Sequence, residues 1–383
     1  MNKPDVIVVG AGIFGLTIAE RTTTKLNKKV LLVEKREQIG GNAYSEFDKE
    51  TGVEVHKYGA HLFHTSRENV WEYVKSFADF TDYQHRVYTV HNGEVFPLPI
   101  NLGTINQFFR ANYSPDEARE KIAKQASKAP KNPINLKDRG VSLIGEPLFE
   151  AFIMGYTAKQ WQTPVEQLPP DIIERLPVRY NYNNRYFKDK YEGLPRNGYA
   201  ELFANMIKAC GDNLKLVLNT DYLESTELQK MTASGVLTVF TGPIDRYYDY
   251  CFGELAWRSI KFGIERLPVS DFQGCPVMNY ADADVPFTRI IEFKHFHPEW
   301  ELKDKAQTII AREYSKTWHL GDEPYYPVRK REDLEILKKY QKLSGKENNV
   351  IFGGRLGEYA YYDMDATFGK ALEVFEKLVL PRF

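Results

Sequence analysis

The stretch D-V-I-V-V-G-A-G-I-F-G, residues 5–15, decides the fold of this chain. Its apolar run V-I-V-V is typical of a buried parallel strand, and Gly10, Gly12 and Gly15 follow with the spacing of a strand-to-helix turn. The first glycine allows the tight turn, the second lets the backbone approach a pyrophosphate, and the third lets the helix pack closely on the strand. The anion would rest on the unpaired amides at the start of the helix. We therefore predict a dinucleotide site, the alternative being a glycine-rich turn without a ligand.

An acidic residue follows at the position where a dinucleotide ribose is bound. Glu34 ends the next apolar run, V-L-L-V-E, nineteen positions after Gly15. A carboxylate there accepts hydrogen bonds from the ribose diol and disfavours a 2′-phosphate, which leaves NAD and FAD. The sequence G-G-N at 40–42 then resembles the extended fingerprint of the glutathione-reductase-like flavoproteins. Two adjacent glycines suit a second close approach of the backbone to a cofactor, so FAD is the predicted cofactor.

The composition excludes several other classes of protein. A net charge of −1 gives no long-range attraction to nucleic acid or to an anionic membrane. The mean hydropathy is −0.47, and no apolar run is long enough to cross a bilayer. Three cysteines without C-x-x-C spacing, Cys210, Cys251 and Cys275, indicate reduced thiols rather than a disulfide scaffold or a zinc site. Because a strand begins by residue 5, we expect no signal peptide and a cytoplasmic protein.

The order of predicted elements indicates a discontinuous nucleotide domain. An N-terminal βαβ unit is followed by a hairpin around H-N-G at 91–93, a helical stretch, an irregular segment rich in Pro, Asn, Arg and Tyr, and strands that return late. The predicted fold class is α/β, with a Rossmann-like FAD-binding domain, a helical insertion and a mainly antiparallel β-sheet domain. The expected ranges are 1–80, about 190–240 and 340–383 for the FAD-binding domain, about 100–185 for the helical domain with a mobile substrate loop at 163–190, and about 81–99 with 241–335 for the β-sheet domain.

Eight further segments, in order and spread over most of the chain, resemble the bacterial UDP-galactopyranose mutases. They are YGAHLFHT (58–65), YTAKQW (156–161), ERLPVRYN (174–181), RYFKDKYEGLP (185–195), FTRIIE (287–292), REYSK (312–316), EPYYPV (323–328) and GGRLGEYAYYDMD (353–365). The glycine fingerprint alone would indicate only a flavoprotein, whereas these segments together match one family. The resemblance implies an FAD enzyme that interconverts UDP-galactopyranose and UDP-galactofuranose.

The resemblance also implies how a flavin serves an isomerase. In the family mechanism N5 of the reduced flavin attacks the anomeric carbon C1 and displaces UDP, the sugar ring opens, and the 4-hydroxyl closes the furanose onto C1. No net oxidation occurs, and the oxidised protein is expected to be inactive. We therefore expect the two UDP-sugars as ligands, an unknown reductant such as NAD(P)H and, because family members are commonly dimers, a homodimer.

Five residues are implied as catalytic. Arg175 and Arg289 occupy the family positions that clamp the diphosphate, whose charge grows as its bond to C1 breaks. Arg355 is expected to steady the negative charge of the reduced flavin and of the substrate. His61 and His64 are placed near the flavin, where an imidazole can hydrogen-bond N5; a structural histidine is the alternative, particularly for His61. A metal is not expected, because no third ligand lies near these histidines in the sequence.

The remaining implied contacts surround the nucleotide, the sugar and the cofactor. Substrate contacts are expected from Phe152, Tyr156, Thr157, Trp161, Tyr186, Asn279, Tyr326, Tyr361 and Asp363. Cofactor contacts are expected from Gly10, Gly12, Ile13, Phe14, Gly15, Glu34, Lys35, Gly41, Asn42, His61, Arg355, Asp363 and Met364. Helical apolar spacing surrounds Phe152, so a place in a helix core is the alternative for that residue.

Two other functions stay open at this point. A flavin amine oxidase or desaturase would share the nucleotide domain, but it would need an apolar substrate channel and net electron transfer, and the set of arginines and tyrosines fits a diphosphate sugar better. A flavin-containing binding protein without catalysis would have no need of both Arg175 and Arg289. The mutase is therefore the predicted function.

Overall fold

The computed structural model describes residues 3–173 and 178–383. The strands of that part of the chain are β1 (Val6–Val9), β2 (Val30–Val33), β3 (Ser45–Phe47), β4 (Glu54–His56), β5 (Phe63–Thr65), β6 (Val87–His91), β7 (Glu94–Leu98), β8 (Tyr191–Gly193), β9 (Leu214–Val217), β10 (Leu237–Phe240), β11 (Trp257–Leu267), β12 (Val277–Tyr280), β13 (Arg289–Glu292), β14 (Thr308–Thr317), β15 (Tyr326–Pro327) and β16 (Val350–Phe352). Its helices are α1 (Ile13–Leu26), α2 (Glu68–Lys75), α3 (Leu102–Phe109), α4 (Pro115–Ala126), α5 (Leu136–Ile144), α6 (Glu146–Phe149), α7 (Gly155–Trp161), α8 (Tyr199–Ala209), α9 (Thr226–Ala233), α10 (Ile244–Tyr247), α11 (Arg331–Ser344), α12 (Gly354–Gly357) and α13 (Met364–Val374).

A five-stranded parallel sheet carries the glycine turn. Its strand order is β16-β10-β1-β2-β9, and every neighbouring pair is parallel. Alternate residues of β1 pack into different apolar clusters, Val6 and Val8 with residues of α1, and Ile7 and Val9 with Tyr222. Both faces of the sheet are thus covered, which explains why the strand has an unbroken apolar sequence. The five strands come from three separate parts of the chain.

A seven-stranded sheet shares its core with the parallel sheet. Its order is β15-β11-β14-β13-β12-β6-β7, and only the β12–β6 pair is parallel within this described sheet. Val277 and Ile291 belong to the same apolar cluster as Val8 of the parallel sheet. The predicted hairpin is confirmed as β6–β7, and its turn residues Asn92 and Gly93 have φ of 50° and 75°, as a type I′ turn requires.

Helices α3–α7 form an insertion with its own core. Buried residues of these helices, among them Ile105, Ile144 and Phe149, form an apolar cluster with Phe96 of β7, distinct from the cluster that the two sheets share. A π-helical turn, Glu150–Met154, leads directly into α7, and Trp161 at the end of α7 reaches the cavity described below. The insertion therefore supplies one wall of that cavity.

The predicted fold class is confirmed: a Rossmann-like parallel sheet, a helical insertion and a mainly antiparallel sheet. Gly10 and Glu34 directly follow the carboxyl ends of β1 and β2, the edge at which such sheets bind ligands. Among the helices of the described residues, none combines the length and the apolar character needed to span a membrane.

Candidate active site

The turn between β1 and α1 is shaped by close backbone contacts. Gly10 has a φ of 97°, and a Cβ on Gly15 would lie 1.9 Å from the carbonyl oxygen of Gly10, so both positions require glycine. Gly41 packs on the same turn, since its Cβ would lie 2.9 Å from Cα of Gly12. We call these four residues the glycine cradle. In the described structure the start of α1 has no side-chain cap, which leaves its amides available to a phosphate.

Glu34 lies at the edge of the glycine cradle. Its buried carboxylate accepts hydrogen bonds from the amides of Ala11, at 2.7 Å, and Arg36, at 2.9 Å. Each amide uses one lone pair of the carboxylate, which leaves acceptor positions for a ribose diol. Asn42 accepts a hydrogen bond from the Arg36 side chain at 2.9 Å. The glycine cradle and the carboxylate together fit an FAD dinucleotide.

One cavity of about 1490 Å³ extends from the glycine cradle to the helical insertion. Sites for one small ligand usually have volumes of roughly 300–1,000 Å³, so this cavity has room for a dinucleotide and a second ligand. The predicted cofactor residues all lie on its wall: Gly10, Gly12, Ile13, Phe14, Gly15, Glu34, Lys35, Gly41, Asn42, His61, Arg355, Asp363 and Met364. So do these predicted catalytic and substrate residues: Arg289, His64, Tyr156, Trp161, Tyr186, Asn279, Tyr326 and Tyr361.

Three predicted residues are not on the described wall. Phe152 is buried in the core of the insertion, with ring centroids 5.0 Å from Phe96 and 5.5 Å from Phe108, which is the alternative stated for it. Thr157 is also buried and does not line the described cavity. Arg175 lies outside the described residues. Contacts of these three residues with a substrate stay predictions.

Arg289, on β13, is a partly buried cation on the cavity wall. One guanidinium nitrogen donates to the hydroxyl of Tyr156, and Nε lies 3.7 Å from Oε2 of Glu313, its cross-strand neighbour on β14. Its enclosed position alone would lower the pKa of Arg289, but the charge of Glu313 outweighs this and raises the pKa above its ordinary value. The guanidinium is therefore charged and held in place, as the binding of a diphosphate requires.

Arg355, in α12, is a second cation of the wall and has different partners. Its Nη2 donates to the carbonyl oxygen of Tyr325 at 2.7 Å. The guanidinium lies 5.0 Å from the ring centroid of Tyr361 and 5.9 Å from that of Tyr326, and these two rings are 5.8 Å apart. Within the described residues, Nε of Arg355 is buried without a hydrogen-bond partner. Its donors are thus available to an anionic ligand between the tyrosines.

The two predicted histidines have fixed but different surroundings. Nδ1 of His61 lies 2.7 Å from the carbonyl oxygen of Gly59, so Nδ1 carries the proton and Nε2 is the free acceptor. Burial lowers the pKa of His61 to about 3, with smaller effects of neighbouring charges, so this ring is neutral at pH 7. Nδ1 of His64 lies 2.8 Å from Asp189, and its ring stacks on Phe187 with centroids 3.6 Å apart.

Asp363 caps the last α-helix of the site. Its side chain accepts a hydrogen bond from the amide of Ala366 at 3.1 Å at the start of α13. Asp365 lies beside it and accepts from the hydroxyl of Thr65 at 2.9 Å. Burial and the neighbouring Asp363 raise the pKa of Asp365 to about 6. The pair places negative charge next to the first turn of α13, where helix amides stabilise it.

The remaining predicted substrate residues are spread over three elements. Asn279 on β12 pairs in register with Arg289 on β13, and its Oδ1 is buried without a partner among the described residues. The backbone amide of Tyr186 donates to the carbonyl oxygen of His85 at 2.8 Å. Trp161 is the last residue of α7. Each therefore offers a polar or aromatic group to the same space.

Glu323 connects residues next to the glycine cradle to the segment that leads into β15 and Tyr326. Its carboxylate accepts a hydrogen bond from Arg36 at 2.6 Å and lies 3.6 Å from Nζ of Lys35, and its carbonyl oxygen accepts from Ser259 at 2.8 Å. Burial alone would raise the pKa of Glu323, but the two cations lower it. The ion pair thus joins residues next to the ribose carboxylate to the start of EPYYPV.

Three of the cavity-lining residues that the sequence did not identify are His85, Phe187 and Arg258. His85 is buried, and its Nδ1 lies 2.9 Å from the Tyr83 hydroxyl. Burial, and to a smaller extent the charge of Arg289, lowers the pKa of His85 to about 3. Phe187 has its ring between His64 and His85, with the His85 centroid 5.8 Å away. Phe187 lies inside a segment that resembles the family, RYFKDKYEGLP, and was therefore predictable, whereas the sequence D-Y-Q-H-R around His85 carries no pattern.

Arg258, on β11, is the third missed residue. Its guanidinium donates to the hydroxyls of Thr317, at 3.1 Å, and Ser315, at 2.8 Å, and burial lowers its pKa. A single arginine within a strand-like run gives no signal in a sequence.

In the described structure, the one group of three candidate metal ligands is Asp271, Glu292 and His295, and Nζ of Lys294 lies 3.1 Å from Asp271.

The fold and the site define an α/β protein of the flavoprotein type, in which a Rossmann-like dinucleotide cradle shares one cavity with arginines suited to an anionic ligand. The profile of NAD(P)-binding Rossmann-like domains matches residues 8–77, and that of UDP-galactopyranose mutase matches residues 151–361. The chain belongs to the UDP-galactopyranose mutase family. The resemblance seen in the sequence, and with it the class of enzyme, an isomerase, is thereby confirmed.

Relatives of known name cover nearly the whole chain. A probable UDP-galactopyranose mutase of Klebsiella pneumoniae is 41% identical over 99% of this chain and 96% of its own length. A dTDP-fucopyranose mutase of Escherichia coli is 39% identical, with 97% of each chain covered. A crystal structure of reduced UDP-galactopyranose mutase has a TM-score of 0.74 and 16% identity, covering 99% of this chain and 96% of that one, so the fold is shared along the full length.

Proposed function

We propose that this protein interconverts UDP-galactopyranose and UDP-galactofuranose with bound, reduced FAD. The observation that carries the proposal is the shared cavity, in which the glycine cradle and Glu34 lie on the same wall as Arg289 and Arg355. A nucleotide-diphosphate sugar needs cations at its diphosphate and a reactive group at C1, and this arrangement offers sites for both. Family membership supports the same assignment.

FAD is the cofactor that the residues fit. The glycine cradle would hold its pyrophosphate and Glu34 its ribose. When bound, reduced FAD supplies the electron-rich N5 that would bond to C1 of the sugar, which is why a reaction without net redox needs a flavin. Nε2 of His61 would accept a hydrogen bond from the flavin, because its Nδ1 is already used by Gly59. Arg355 would balance the negative charge of the reduced ring.

The arginines would act on the leaving nucleotide. Negative charge grows on the diphosphate as its bond to C1 breaks, and a guanidinium that is already in place stabilises that charge without reorganisation. Arg289 is placed in this way by Glu313 and Tyr156. Arg175, in the family segment ERLPVRYN, is proposed as its partner. The hydroxyls of Tyr326 and Tyr361 would bind further phosphate oxygens beside Arg355.

The experiment compares reduced and oxidised protein. Purified protein with FAD is incubated with UDP-galactofuranose, with and without dithionite, and products are separated by anion-exchange chromatography. We expect UDP-galactopyranose only from the reduced protein. Conversion at equal rates by oxidised protein, or none by reduced protein with FAD bound, would overturn the proposal. An amine oxidase or desaturase would instead consume oxygen with its substrate, and a binding protein would bind UDP without turnover.

The relative from Escherichia coli favours a second candidate substrate. Its name, dTDP-fucopyranose mutase, and its 39% identity make dTDP-fucopyranose the substrate to test beside UDP-galactopyranose. The two differ in the base, in the 2′-hydroxyl and in the sugar 6-hydroxyl, so kcat/KM for each, measured with reduced protein, distinguishes them. We expect the UDP-sugar to have the higher value. The reductant, the homodimer and the cytoplasmic location stay predictions.

A further inference from the structure

A buried polar cluster lies behind the turn that carries His61. It consists of Glu54, His56 and His297, and all three side chains are buried. Oε2 of Glu54 lies 3.6 Å from Nε2 of His56 and 3.4 Å from Nε2 of His297. Buried charges are costly unless they are paired. His56 contacts the amide of His61, which lines the cavity, so the role of this buried charge has to be sought at the cavity wall.

Glu54 is ionised in this cluster. Burial alone would raise the pKa of Glu54, but the nearby rings of His297 and His56 and the hydrogen bond from Ser45 lower it below its ordinary range. Its Oε1 also accepts from the amide of Tyr199 at 2.9 Å, at the start of α8, where a negative charge is favourable. Oε1 thus accepts from Ser45 and Tyr199, whereas Oε2 has no hydrogen-bond partner among the described residues and faces the two histidines at ion-pair distance.

The position of the proton on His56 follows from its neighbours. The backbone amide of His61 lies 3.1 Å from Nδ1 of His56. Because an amide can only donate, Nδ1 must be the acceptor, and the proton of the neutral ring must be on Nε2. Nε2 faces the carboxylate of Glu54. Glu54 therefore stabilises the one tautomer of His56 that can hold the amide of His61.

The same turn sets the tautomer of His61. Gly59 has a φ of 97°, and a Cβ there would lie 3.0 Å from Cζ of Phe262, so the turn fits closely against β11. In this conformation the carbonyl oxygen of Gly59 lies 2.7 Å from Nδ1 of His61. Nδ1 is thus the donor, and Nε2 has its lone pair free on a ring that lines the cavity. If the amide of His61 lost its acceptor, this geometry would be lost with it.

We propose that Glu54 and His56 are positioning residues, which hold the turn 58–61 and the Nδ1-protonated tautomer of His61. Nε2 of His61 thereby presents a lone pair to an N–H group of the bound cofactor. The inference rests on the proposed function only for the identity of that cofactor. In many binding sites a carboxylate or a histidine that does not touch the ligand orients the residue that does.

Three substitutions separate this role from simple packing. Glu54→Gln keeps the shape of the side chain but replaces one acceptor oxygen by an NH₂ group. Because the Tyr199 amide needs an acceptor, the NH₂ group must face His56. Nε2 of His56 must then accept, so its proton moves to Nδ1, where it prevents the bond from the His61 amide. His56→Leu removes the acceptor for the His61 amide. His56→Asn is the matched control, because its Oδ1 has nearly the position of Nδ1 and can accept from that amide.

Histidine ¹⁵N spectra of the FAD-loaded protein report the tautomer directly. The signals of His61 are assigned as those lost in His61→Gln, among the eight histidines of the chain. We expect a proton on Nδ1 of His61 in the wild type and in His56→Asn, and a mixture of tautomers in Glu54→Gln and His56→Leu. A wild-type His61 protonated on Nε2, or a tautomer unchanged in both disruptive variants, would overturn the proposal.

The flavin midpoint potential and the turnover of reduced protein give a second readout. We expect Glu54→Gln and His56→Leu to shift the potential and to lower kcat by about tenfold or more, with KM within about twofold and His56→Asn close to the wild type. Equal losses in His56→Asn and His56→Leu would show a packing role and overturn the proposal. If the wild type turned over no nucleotide-sugar while the tautomers changed as expected, the proposed function would fail and this inference would stand.

Discussion

At the scale of single residues, Arg289 and Arg355 differ in how they are held. Arg289 has a carboxylate neighbour, Glu313, and a phenol, Tyr156, which keep it charged and fixed. Arg355 is held by a carbonyl oxygen and by aromatic faces, so its charge is less compensated. Arg289 therefore suits a ligand that always carries charge, and Arg355 suits a charge that depends on the redox state of the cofactor.

Loss of Arg289 should abolish most turnover without loss of the flavin. One charge-assisted contact to the leaving group contributes roughly 2–4 kcal/mol to the transition state, so Arg289→Ala should lower kcat by about two to three orders of magnitude. The measurement is turnover of UDP-galactofuranose by reduced protein, with flavin content read from absorbance. Arg312→Ala, which removes a cation of β14 paired with Glu265, is the control and should keep its activity. Unchanged kinetics of Arg289→Ala would remove this residue from the clamp.

His85 should make the folded state sensitive to acid. Burial lowers its pKa from 6.5 to about 3, so below pH 6.5 the unfolded chain binds a proton that the folded chain refuses. Its contribution to stability is complete above pH 6.5 and is lost as the pH falls towards 3, at up to about 1.4 kcal/mol per pH unit. Urea unfolding of wild type and His85→Gln between pH 7.5 and 5 measures this. The wild-type curve should fall more steeply; parallel curves would contradict the prediction.

At the scale of elements, the glycine cradle distinguishes folding from binding. A Cβ on Gly15 would lie 1.9 Å from the Gly10 oxygen, whereas a Cβ on Gly12 would meet only Cα of Gly41, at an ordinary 3.7 Å. Gly15 is thus needed for the packing of α1 on β1, and Gly12 is left small for a ligand. The same local pattern of strand, glycines and helix made this part of the fold predictable from the sequence.

Substitutions in the glycine cradle should therefore separate two losses. Gly12→Val should give folded protein without FAD, because the side chain would occupy the space of the pyrophosphate, while Gly15→Ala should lower the melting temperature by several degrees because it strains the turn. Circular dichroism melting and flavin absorbance after purification report the two effects. Yellow, FAD-loaded Gly12→Val protein would contradict this assignment of the pyrophosphate.

Other elements of the site could be predicted only in part. The hairpin β6–β7 and the segment with Arg289 were within reach, because turn chemistry and family segments are local in the sequence. Phe152 shows the limit: helical spacing marks it as apolar, but the side of the helix that faces the cavity depends on packing against Phe96 and Phe108. His85 precedes β6 and contributes to the wall only through its tertiary neighbours, for which a single sequence carries no signal.

At the scale of the whole molecule, an ion pair between Arg36 and Glu323 spans the two sheets. Arg36 follows β2 of the parallel sheet, and Glu323 precedes β15 of the seven-stranded sheet. They are 287 positions apart in the chain, so no local pattern could have predicted the contact. Their 2.6 Å hydrogen bond fixes the segment that precedes β15 relative to Glu34. The ion pair thus connects the end of the cavity that holds Glu34 to the end that holds Tyr326.

Weakening this ion pair should affect both ligands. Glu323→Gln removes a partly buried charge partner, and a loss of about 1 kcal/mol, or fivefold in each binding constant, is expected for FAD and for UDP. FAD titration of apoprotein and UDP titration of the FAD-loaded protein measure the two constants. Glu335→Gln, on an exposed ion pair of α11 with Lys338, is the control. A change in one constant alone would show that the two ends are not joined through Glu323.

The late position of β10, β16 and α13 in the chain has a consequence for synthesis. The ribosome makes β1 and α1 first, but β1 needs β10 beside it, and α1 packs on α13. Until α13 has been made, at residue 374, the N-terminal segment has exposed apolar surface that only later residues can cover. FAD should therefore bind only after translation is complete. A nascent chain stalled before β16 should aggregate unless chaperones bind it.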